Sequence, residues 1–335
     1  MINYCIIGAG WRAEFYIRLA KMLPNTFNFC GICIRNEEKA KEFENKYGIK
    51  SVKTIEELKK IPCDFFVNCI NKADIGNLTL SLAEEGFAVL AETPACVTGN
   101  QAKEYSARLK PEYKIAVAEQ FHLKPMYQAI KAILDKGILG EVNNVEISLC
   151  HEYHAMSLIR KFLDTDTIPT VVSTKITNPV LITNGRGGEI ENKEVKTSER
   201  IIKMFDFGTK SAVYNFDVSQ YFSPIRTDSL VIRGTRGEIR DNTVRYFNKD
   251  NKFIQSDIVH NRSGNLDGFF NGNVTFENEV LYESPFKTAR LSDEETAIGE
   301  VLLKMEAFLK TGKQFYGFDE ALKDVVFWNS GDKTF

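Results

Sequence analysis

The chain has 335 residues, which exceeds the size of one typical domain core and suggests two domains. Hydrophobic residues make up 43% of the sequence and charged residues 26%, which is ordinary usage for a globular protein. The formal net charge of -2 provides no overall basic field. We therefore expect a small-molecule substrate, with neither nucleic acid nor a membrane as a partner.

The first residues and the cysteines indicate a cytoplasmic protein. Residues 1–8 read MINYCIIG, without the basic region and the longer apolar run of a secretory leader. An odd number of cysteines, seven, favours reduced thiols. Cys30 and Cys33 lie three apart in a predicted strand, so their side chains would point to opposite faces and would not form a redox or zinc pair. Without a His-Glu-x-x-His motif or a tight Cys/His cluster, we predict no metal site.

Residues 1–120 alternate short apolar runs with amphipathic helical stretches. Apolar strands separated by helices are typical of a parallel sheet covered on both faces. The predicted strands are Ile2–Ile7, Phe27–Ile34, Phe65–Ile70, Ala88–Ala91 and Ile115–Ala118. The predicted helices are Arg12–Leu23, Glu37–Tyr47, Ile55–Lys60, Asp74–Glu85 and Gln101–Leu109. The pattern changes near Phe121, which indicates a first domain that ends at residue 120.

Residues 121–335 are predicted to form an α+β domain. Most of this part alternates polar and apolar residues between glycine turns, which favours a large, open and mostly antiparallel sheet. The predicted strands are Val142–Leu149, Val171–Ile176, Arg200–Phe207, Ala212–Val218, Ser229–Arg233 and Thr243–Phe247. The predicted helices are Pro125–Lys136, Tyr153–Leu163, Glu294–Lys310 and Asp319–Asn329. Asp293 is the predicted cap of the third helix and Gly312 lies just past its end. The last helix could pack back on the first domain.

The turn after the first strand has the pattern Gly-x-Gly-x-x-Ala. Gly8 allows a tight turn, Gly10 lets the backbone approach a pyrophosphate, and Ala13 lets the helix and the strand pack closely. Trp11 and Arg12 begin the helix, whose free N–H groups and dipole favour an anion. Within a strand–helix–strand frame, this pattern predicts a dinucleotide-binding Rossmann domain.

The second strand indicates which dinucleotide is bound. NAD-binding domains place an acidic residue about 20 residues after the glycines, at the end of this strand. Arg35 stands there instead, and a guanidinium can hold a 2′-phosphate. We therefore prefer NADP over NAD. The alternative is that Arg35 is simply solvated and that Glu37 or Glu38 binds the ribose.

Polar residues follow two further strands of this sheet. Asn71 and Lys72 come after the third strand, and Glu119 and Gln120 come after the fifth. Because ligands bind at the carboxyl ends of parallel strands, all four are candidate contacts to cofactor or substrate. The alternative is that they begin ordinary polar loops.

Taken together, the sequence resembles the Gfo/Idh/MocA oxidoreductases over nearly its whole length. The matching segments are Gly8-Ala9-Gly10, residues 89–94 (VLAETP), residues 137–142 (GILGEV), Tyr153-His154, residues 232–239 (IRGTRGEI) and the closing pair of helices. The resemblance implies hydride transfer between a nicotinamide and a sugar, polyol or related carbonyl compound in a cleft between two domains. It also implies a homodimer or homotetramer formed through the C-terminal sheet, with Glu92 and Pro94 near the nicotinamide.

Two positions depart from the family pattern. The family usually has Glu-Lys-Pro where this chain has Glu92-Thr93-Pro94, and that lysine helps to bind substrate and move its proton. Thr93 is no cation, although its hydroxyl can bond a substrate oxygen. Cys150 stands where relatives have an Asp four residues before the active-site His. Relatives that resemble biliverdin or imine reductases also lack the lysine.

His154 is the best candidate for a general acid or base, since an imidazole can give and take a proton near neutral pH. It matches the helix-opening His of the family. His151 and Tyr153 could share this role. Ser157 lies three residues further on the same helix face and is a candidate substrate contact. Each of these residues could instead have a structural role at the start of its helix.

The sequence therefore predicts an NADP- or NAD-dependent dehydrogenase or reductase with a small carbonyl or hydroxyl substrate. One alternative is a nucleotide-binding sensor or assembly protein of the same fold that has lost catalysis, as the missing lysine suggests. Another is an imine or biliverdin-type reductase. The substrate, the reaction direction, the stereochemistry and the subunit number do not follow from the sequence.

Overall fold

A computed structural model describes residues 1–264 and 270–330, with residues 333 and 334 in a short strand. The chain divides into two compact units. The first unit comprises residues 1–125, 262–272 and 284–326. The second unit comprises residues 126–261, 273–283 and 327–335.

The first unit contains the predicted parallel sheet. Its strands are β1 (Ile2–Ile7), β2 (Phe27–Cys33), β3 (Phe65–Asn68), β4 (Val89–Ala91) and β5 (Ile115–Val117). All pairs are parallel in the order β2-β1-β3-β4-β5. The helices between them are α1 (Trp11–Met22), α2 (Glu37–Tyr47), α3 (Ile55–Leu58), α4 (Ile75–Glu84) and α5 (Gly99–Arg108). Strands β3, β4 and β5 are buried along their whole length, which explains their uninterrupted apolar sequence.

The second unit is built on a nine-stranded sheet. Its helices are α6 (Pro125–Asp135) and α7 (Glu152–Leu163). Its strands are β6 (Val142–Ser148), β7 (Thr170–Gly185), β8 (Gly188–Asp206), β9 (Ser211–Asp217), β10 (Ser229–Gly234), β11 (Gly237–Arg240), β12 (Thr243–Phe247), β13 (Phe253–Asp257), β14 (Val259–Asn261), β15 (Asn273–Phe276), β16 (Glu279–Glu283) and β17 (Lys333–Thr334). The large sheet has the order β13-β12-β11-β10-β6-β9-β8-β7-β17, and β14, β15 and β16 form a small antiparallel sheet.

Pairing in the large sheet is mostly antiparallel, as predicted, but β6 and β9 are parallel neighbours. The pair β7 and β17 is also parallel. Strands β7 and β8 continue well beyond the predicted Val171–Ile176 and Arg200–Phe207, because they pair with each other up to the turn at Gly185 and Gly188. The sequence prediction ended them too early, since most residues of their outer halves are exposed or half-buried and lack strict alternation.

The closing helices are α8 (Asp293–Thr311) and α9 (Phe318–Asn329). Helix α8 packs in the core of the first unit, where buried Val301 and Met305 share a cluster with Tyr16 of α1. The predicted cap Asp293 is wrong: Ser292 caps the helix and Glu295 completes a capping box. A serine can occupy the extended cap position, whereas Asp293 already has helical geometry. Within the part of the chain described, no helix is long and apolar enough to cross a membrane.

Candidate functional site

The glycine-rich turn has the geometry that the sequence predicted. Gly8 has a φ of +102°, and a Cβ atom there would lie 2.9 Å from the carbonyl oxygen of Cys69. Gly10 is the cap residue of α1 and offers no side-chain cap. The first N–H groups of α1 can therefore bond an anion, as a dinucleotide pyrophosphate requires. Ala13 is buried beneath the turn.

A cavity of about 910 Å³ opens at this turn. It is lined by Ile7, Gly8, Ala9, Gly10, Cys33, Ile34, Arg35, Asn36, Lys39, Ile55, Cys69, Ile70, Asn71, Asp74, Asn77, Leu78 and Ser81. It brings together four of the candidate cofactor contacts: Gly8, Gly10, Arg35 and Asn71. The other candidates, Trp11, Arg12, Ala13, Lys72, Glu92 and Pro94, are not among its lining residues. The uncapped helix end and the absence of a side chain at Gly8 make this cavity fit a dinucleotide.

Two cations lie on the cavity wall near the end of β2. Arg35 is exposed, and no ion pair holds it among the described residues. Lys39 stands one turn into α2, whose cap Asn36 accepts its backbone N–H at 2.9 Å. Glu37 instead forms an ion pair with Lys53 at 2.7 Å. Lys39 was missed by the sequence reasoning, although its position three residues after a cap could have indicated it.

Asn71 is fixed by its own turn. Its side-chain oxygen accepts the N–H of Ala73 at 3.0 Å, and its amide donates to Asp74 at 2.8 Å. Lys72, beside it, is exposed. The fixed amide of Asn71, which follows β3, thus lines the same cavity as Arg35, which follows β2 on the other side of β1.

A second group of side chains in the first unit is called here the charged cluster: Arg12, Glu92, Gln120, Lys124 and Glu294. Arg12 lies 3.4 Å from Glu92 and 2.7 Å from Glu294. Glu294 also accepts from Gln120 at 2.8 Å and pairs with Lys124 at 2.9 Å. Arg12 is thus engaged with two carboxylates.

The carboxyl groups in and beside this cluster have pKa values that are shifted in opposite directions from the ordinary value. Burial raises the pKa of Glu119 to about 8, and the N–H of Phe121 donates to its carboxyl at 3.1 Å. Burial also raises the pKa of Glu92, although Tyr16 donates to it at 2.5 Å. Burial alone would raise the pKa of Glu294 too, but Lys124 and Arg12 outweigh it and lower this pKa to about 2. Glu119 therefore holds a proton at neutral pH, while Glu294 is ionised.

The second unit holds a different group, called here the imidazole–phenol cluster: His151, Tyr153, His154 and Tyr221. The hydroxyl oxygen of Tyr221 accepts the backbone N–H of His151 at 2.8 Å and lies 2.6 Å from its Nδ1. The other ring nitrogen, Nε2, lies 3.1 Å from the hydroxyl of Tyr153. The ring of His154 contacts both Tyr153 and His151, with centroids 4.4 Å and 5.6 Å away. Tyr221 was missed by the sequence reasoning.

The remaining candidates have local roles. Ser157 is buried and donates its hydroxyl to the His154 carbonyl at 2.9 Å. Thr93 is half-buried, its N–H donates to the Glu92 carboxyl at 3.3 Å, and its bond to Pro94 is cis. Across the described ranges, no group of three or more His, Cys, Asp or Glu residues could hold a metal ion.

Comparison of the sequence with known proteins finds two matches. The sequence model of the oxidoreductase family with an NAD-binding Rossmann fold, Gfo/Idh/MocA, matches residues 2–121. Oxidoreductase P35 of Formosa agariphila is 24% identical over 258 residues, which cover 71% of this chain and 78% of that protein.

Solved structures share the fold. An oxidoreductase from Agrobacterium radiobacter, in complex with NAD+, L-tartaric acid and magnesium, has a TM-score of 0.68 at 14% identity and covers 98% of this chain and 94% of its own. A levoglucosan dehydrogenase in complex with NADH and levoglucosan has a TM-score of 0.68 at 14% identity, with 98% and 95% covered.

The glycine turn, the open helix end and the adjoining cavity form a site that fits a dinucleotide. Residues 2–121 match the Gfo/Idh/MocA oxidoreductase family with its NAD-binding Rossmann fold, and the solved structures share the fold of the chain.

Proposed function

We propose that this protein is a dehydrogenase or reductase that prefers NADP(H) and acts on a small, sugar-like hydroxyl or carbonyl compound. The observation that carries the cofactor choice is the pair of cations, Arg35 and Lys39, on the cavity wall. Glu37, which could have bound the ribose, is held by Lys53. A 2′-phosphate carries negative charge that two cations would stabilise, whereas the ribose hydroxyls of NAD would gain little from them.

The substrate class rests on the ligands of two similar structures and on two buried side chains of this chain. Levoglucosan and L-tartaric acid, bound in two structures of the same fold, are both rich in hydroxyl groups. Glu119 and Gln120 are proposed substrate contacts. Both are buried, and the side-chain oxygen of Gln120 has no hydrogen-bond partner within the described residues. Such an oxygen would gain a partner from a substrate hydroxyl.

The proposed proton chemistry lies in the imidazole–phenol cluster. His154 and Tyr153 are the proposed catalytic residues, with Thr93 bonding a substrate oxygen in place of the family lysine. His151 and Ser157 are proposed substrate contacts. When bound, the nicotinamide would supply or accept the hydride, and these side chains would supply the proton and the orientation.

Titration with NADPH and with NADH, followed by nicotinamide fluorescence, tests the cofactor choice. We expect tighter binding of NADPH, and we expect Arg35→Ser and Lys39→Ser each to weaken it about 10-fold, the effect of losing one charge-assisted bond. NADH binding should change little. Lys41→Ser is the matched control, because Lys41 is an exposed lysine of the same helix as Lys39 and does not line the cavity. Equal affinity for both cofactors in the wild type would overturn the preference, and binding of neither would overturn the proposed function.

Thr93 favours one second candidate, a nucleotide-binding sensor without catalysis. This candidate predicts tight cofactor binding without turnover of any polyol or carbonyl compound.

A homodimer or homotetramer through the large sheet is also proposed. Exposed apolar side chains on β7 and β8, such as Ile176 at 42% and Met204 at 59%, would be covered by such an interface. Light scattering of the purified protein measures the subunit number, and a monomer would contradict this proposal.

A further inference from the structure

The topology of the large sheet brings two distant segments together. Strands β6 and β9 are parallel neighbours, with Ile147 opposite Tyr214. The carboxyl ends of parallel neighbours lie at the same edge of a sheet, so the segments that follow them emerge side by side. His151 follows β6 and Tyr221 follows β9. They lie 70 residues apart in sequence and are joined by two hydrogen bonds.

The segment that carries Tyr221 is itself fixed. Residues Val218–Tyr221 form one short helical turn that begins at Asp217, whose carboxylate accepts the N–H of Ser219 at 2.9 Å. Gln220 accepts the N–H of Asp217 at 3.0 Å and donates to the carbonyl of Ser148, at the end of β6, at 3.3 Å. The phenol is therefore held beside the residues that follow β6.

Both nitrogens of the His151 ring are engaged within this arrangement. Nδ1 lies 2.6 Å from the Tyr221 hydroxyl and Nε2 lies 3.1 Å from the Tyr153 hydroxyl. Glu152, which lies between His151 and Tyr153 in the sequence, has a φ of +38°, which is unusual for a residue with a side chain. Backbone strain of this kind occurs at functional sites, where the surrounding structure holds it in place. Here the strained residue adjoins His151, whose two ring nitrogens each face a tyrosine hydroxyl.

Resting on the proposed dehydrogenase or reductase function, we propose that His151 is the proton reservoir of the reaction, that Tyr153 carries the proton between His151 and the substrate oxygen, and that Tyr221 positions the ring. The relay replaces two simpler roles proposed above, direct proton transfer by His154 and direct substrate contact by His151. An imidazole suits a reservoir because it ordinarily titrates at about pH 6.5.

The proton steps balance in both directions. In reduction, a bound reduced nicotinamide would supply the hydride to the substrate carbonyl carbon, and the carbonyl oxygen would take the proton from the Tyr153 hydroxyl. Tyr153 takes a proton from Nε2 of the His151 imidazolium. The ring is left neutral, with its proton on Nδ1 facing the Tyr221 oxygen. Oxidation of an alcohol runs the same steps backwards. Solvent returns a proton to His151 after reduction and takes one from it after oxidation.

Tyr221 suits a positioning role because it keeps its own proton. Burial raises its pKa well above the ordinary value, and the nearby Cys150 raises it further. Its oxygen can therefore accept from Nδ1 without releasing a proton, which leaves Nε2 as the nitrogen that exchanges with Tyr153. Further titratable groups near Tyr221 include Cys150 and Tyr214, Glu152 lies close to Tyr214, and the ring of His154 contacts that of His151.

Kinetics on single variants test the relay, with levoglucosan or L-tartrate as the probe and NADP+ or NAD+ as the oxidant. We expect Tyr153→Phe and His151→Asn each to lower turnover by about 10²- to 10⁴-fold, the usual contribution of a positioned acid–base group. His151→Asn should also abolish the near-neutral transition of the pH–rate profile. His154→Asn should keep that transition, and Tyr246→Phe, an exposed phenol of the same unit, is the matched control. Loss of the transition in His154→Asn and its retention in His151→Asn would overturn the relay.

A spectroscopic measurement decides the relay even if neither probe turns over. Nitrogen-15 spectra of the histidine rings report which nitrogen carries the proton. We expect neutral His151 in the wild type to carry it on Nδ1, and Tyr221→Phe to shift it towards Nε2 while cofactor affinity is unchanged. A wild-type ring protonated on Nε2, or a ring indifferent to Tyr221→Phe, would overturn the relay. Failure of the wild type to bind either cofactor would instead overturn the proposed function.

Discussion

Each unit of this protein holds a group of buried and half-buried polar side chains, and the two groups are stabilised in different ways. In the first unit, the charged cluster pairs Arg12 with Glu92 and Glu294 at 3.4 Å and 2.7 Å. In the second unit, the imidazole–phenol cluster joins His151 to Tyr153 and Tyr221 by hydrogen bonds between groups that can be neutral. Ion pairs therefore stabilise the charged cluster, whereas the hydrogen bonds of the imidazole–phenol cluster can transfer protons.

This difference has consequences for substitutions. Removal of one member of a buried ion pair leaves a charge without compensation, which typically costs about 3–5 kcal/mol. Removal of a hydroxyl from a neutral hydrogen bond leaves a polar atom unsatisfied, which costs about 1–3 kcal/mol. The charged cluster should therefore determine stability, and the imidazole–phenol cluster should determine reactivity. The experiments below test this division from the largest expected effect to the smallest.

The largest effect is expected for Arg12→Ala, which leaves Glu92 and Glu294 without their shared cation. We expect a loss of about 3–5 kcal/mol in the free energy of unfolding, measured by urea denaturation. Arg18→Ala is the matched control on the same helix. Its ion pair with Glu295 is 3.1 Å long and more exposed, so we expect a loss below about 1 kcal/mol. Equal losses in the two variants would show that burial of the Arg12 pairs has no special effect.

The next effect concerns pH. The folded protein holds a proton on Glu119 up to about pH 8, whereas the unfolded chain releases it near 4.5. Between these values only the folded state binds this proton, so stability falls as pH rises, by at most about 1.4 kcal/mol per pH unit. Glu119→Gln cannot ionise and keeps an oxygen for the N–H of Phe121. We expect its melting temperature to fall less than that of the wild type between pH 5 and 8.

Glu294 provides a control of opposite sign. Its pKa in the folded protein is about 2, below the ordinary 4.5, so its contribution is present above pH 4.5 and disappears as pH falls towards 2. Glu294→Gln should therefore flatten the stability profile at low pH. Because the charge of Glu294 also helps to raise the pKa of Glu119, this variant should end the fall in stability attributed to Glu119 at a lower pH than in the wild type. Parallel wild-type and Glu119→Gln curves between pH 5 and 8 would contradict the assignment of a buried, protonated Glu119.

The two clusters also differ in how far the sequence could predict them. The cofactor turn is local: Gly8, Gly10 and Arg35 are placed by one strand–helix–strand unit, whose pattern is visible in about 35 residues. The contact between His151 and Tyr221 depends on the parallel pairing of β6 with β9 inside a mostly antiparallel sheet. Apolar periodicity identifies strands but not their neighbours, so this pairing could not be predicted.

Helix α8 illustrates a similar limit. The sequence predicts its existence and its end at Gly312, which the structure confirms with a φ of +73°. It does not reveal that the first turn of α8 supplies Glu294 to a cluster with Arg12, 282 residues earlier. A charged residue at the start of a helix is usually solvated, and nothing local distinguishes this one.

A smaller effect is expected at the glycine turn. Gly8→Ala forces a side chain into a φ of +102° and against the Cys69 carbonyl oxygen, so we expect a loss of about 1–3 kcal/mol in stability together with loss of cofactor binding. Gly10→Ala is the matched control, because its Cβ would lie 3.7 Å from the same oxygen, an ordinary contact. It should fold normally and weaken only cofactor binding. Equal destabilisation of both variants would contradict this account.

The smallest effect is expected at the start of α8, where the sequence predicted Asp293 as the cap and the structure shows Ser292. Ser292→Ala removes the hydroxyl that accepts the N–H of Glu295 at 3.2 Å, which should cost about 1 kcal/mol in thermal or urea unfolding. Asp293→Ala removes an exposed ion pair with Arg262 and a favourable charge near the helix dipole, so we expect about half that loss or less. Glu294 lies in the first turn of α8, so fraying of this turn should also weaken the contacts of the charged cluster. Ser292→Ala should then reduce the loss of stability at low pH that is attributed to Glu294. A larger loss for Asp293→Ala would restore Asp293 as the cap and remove this link between helix geometry and the ion pairs.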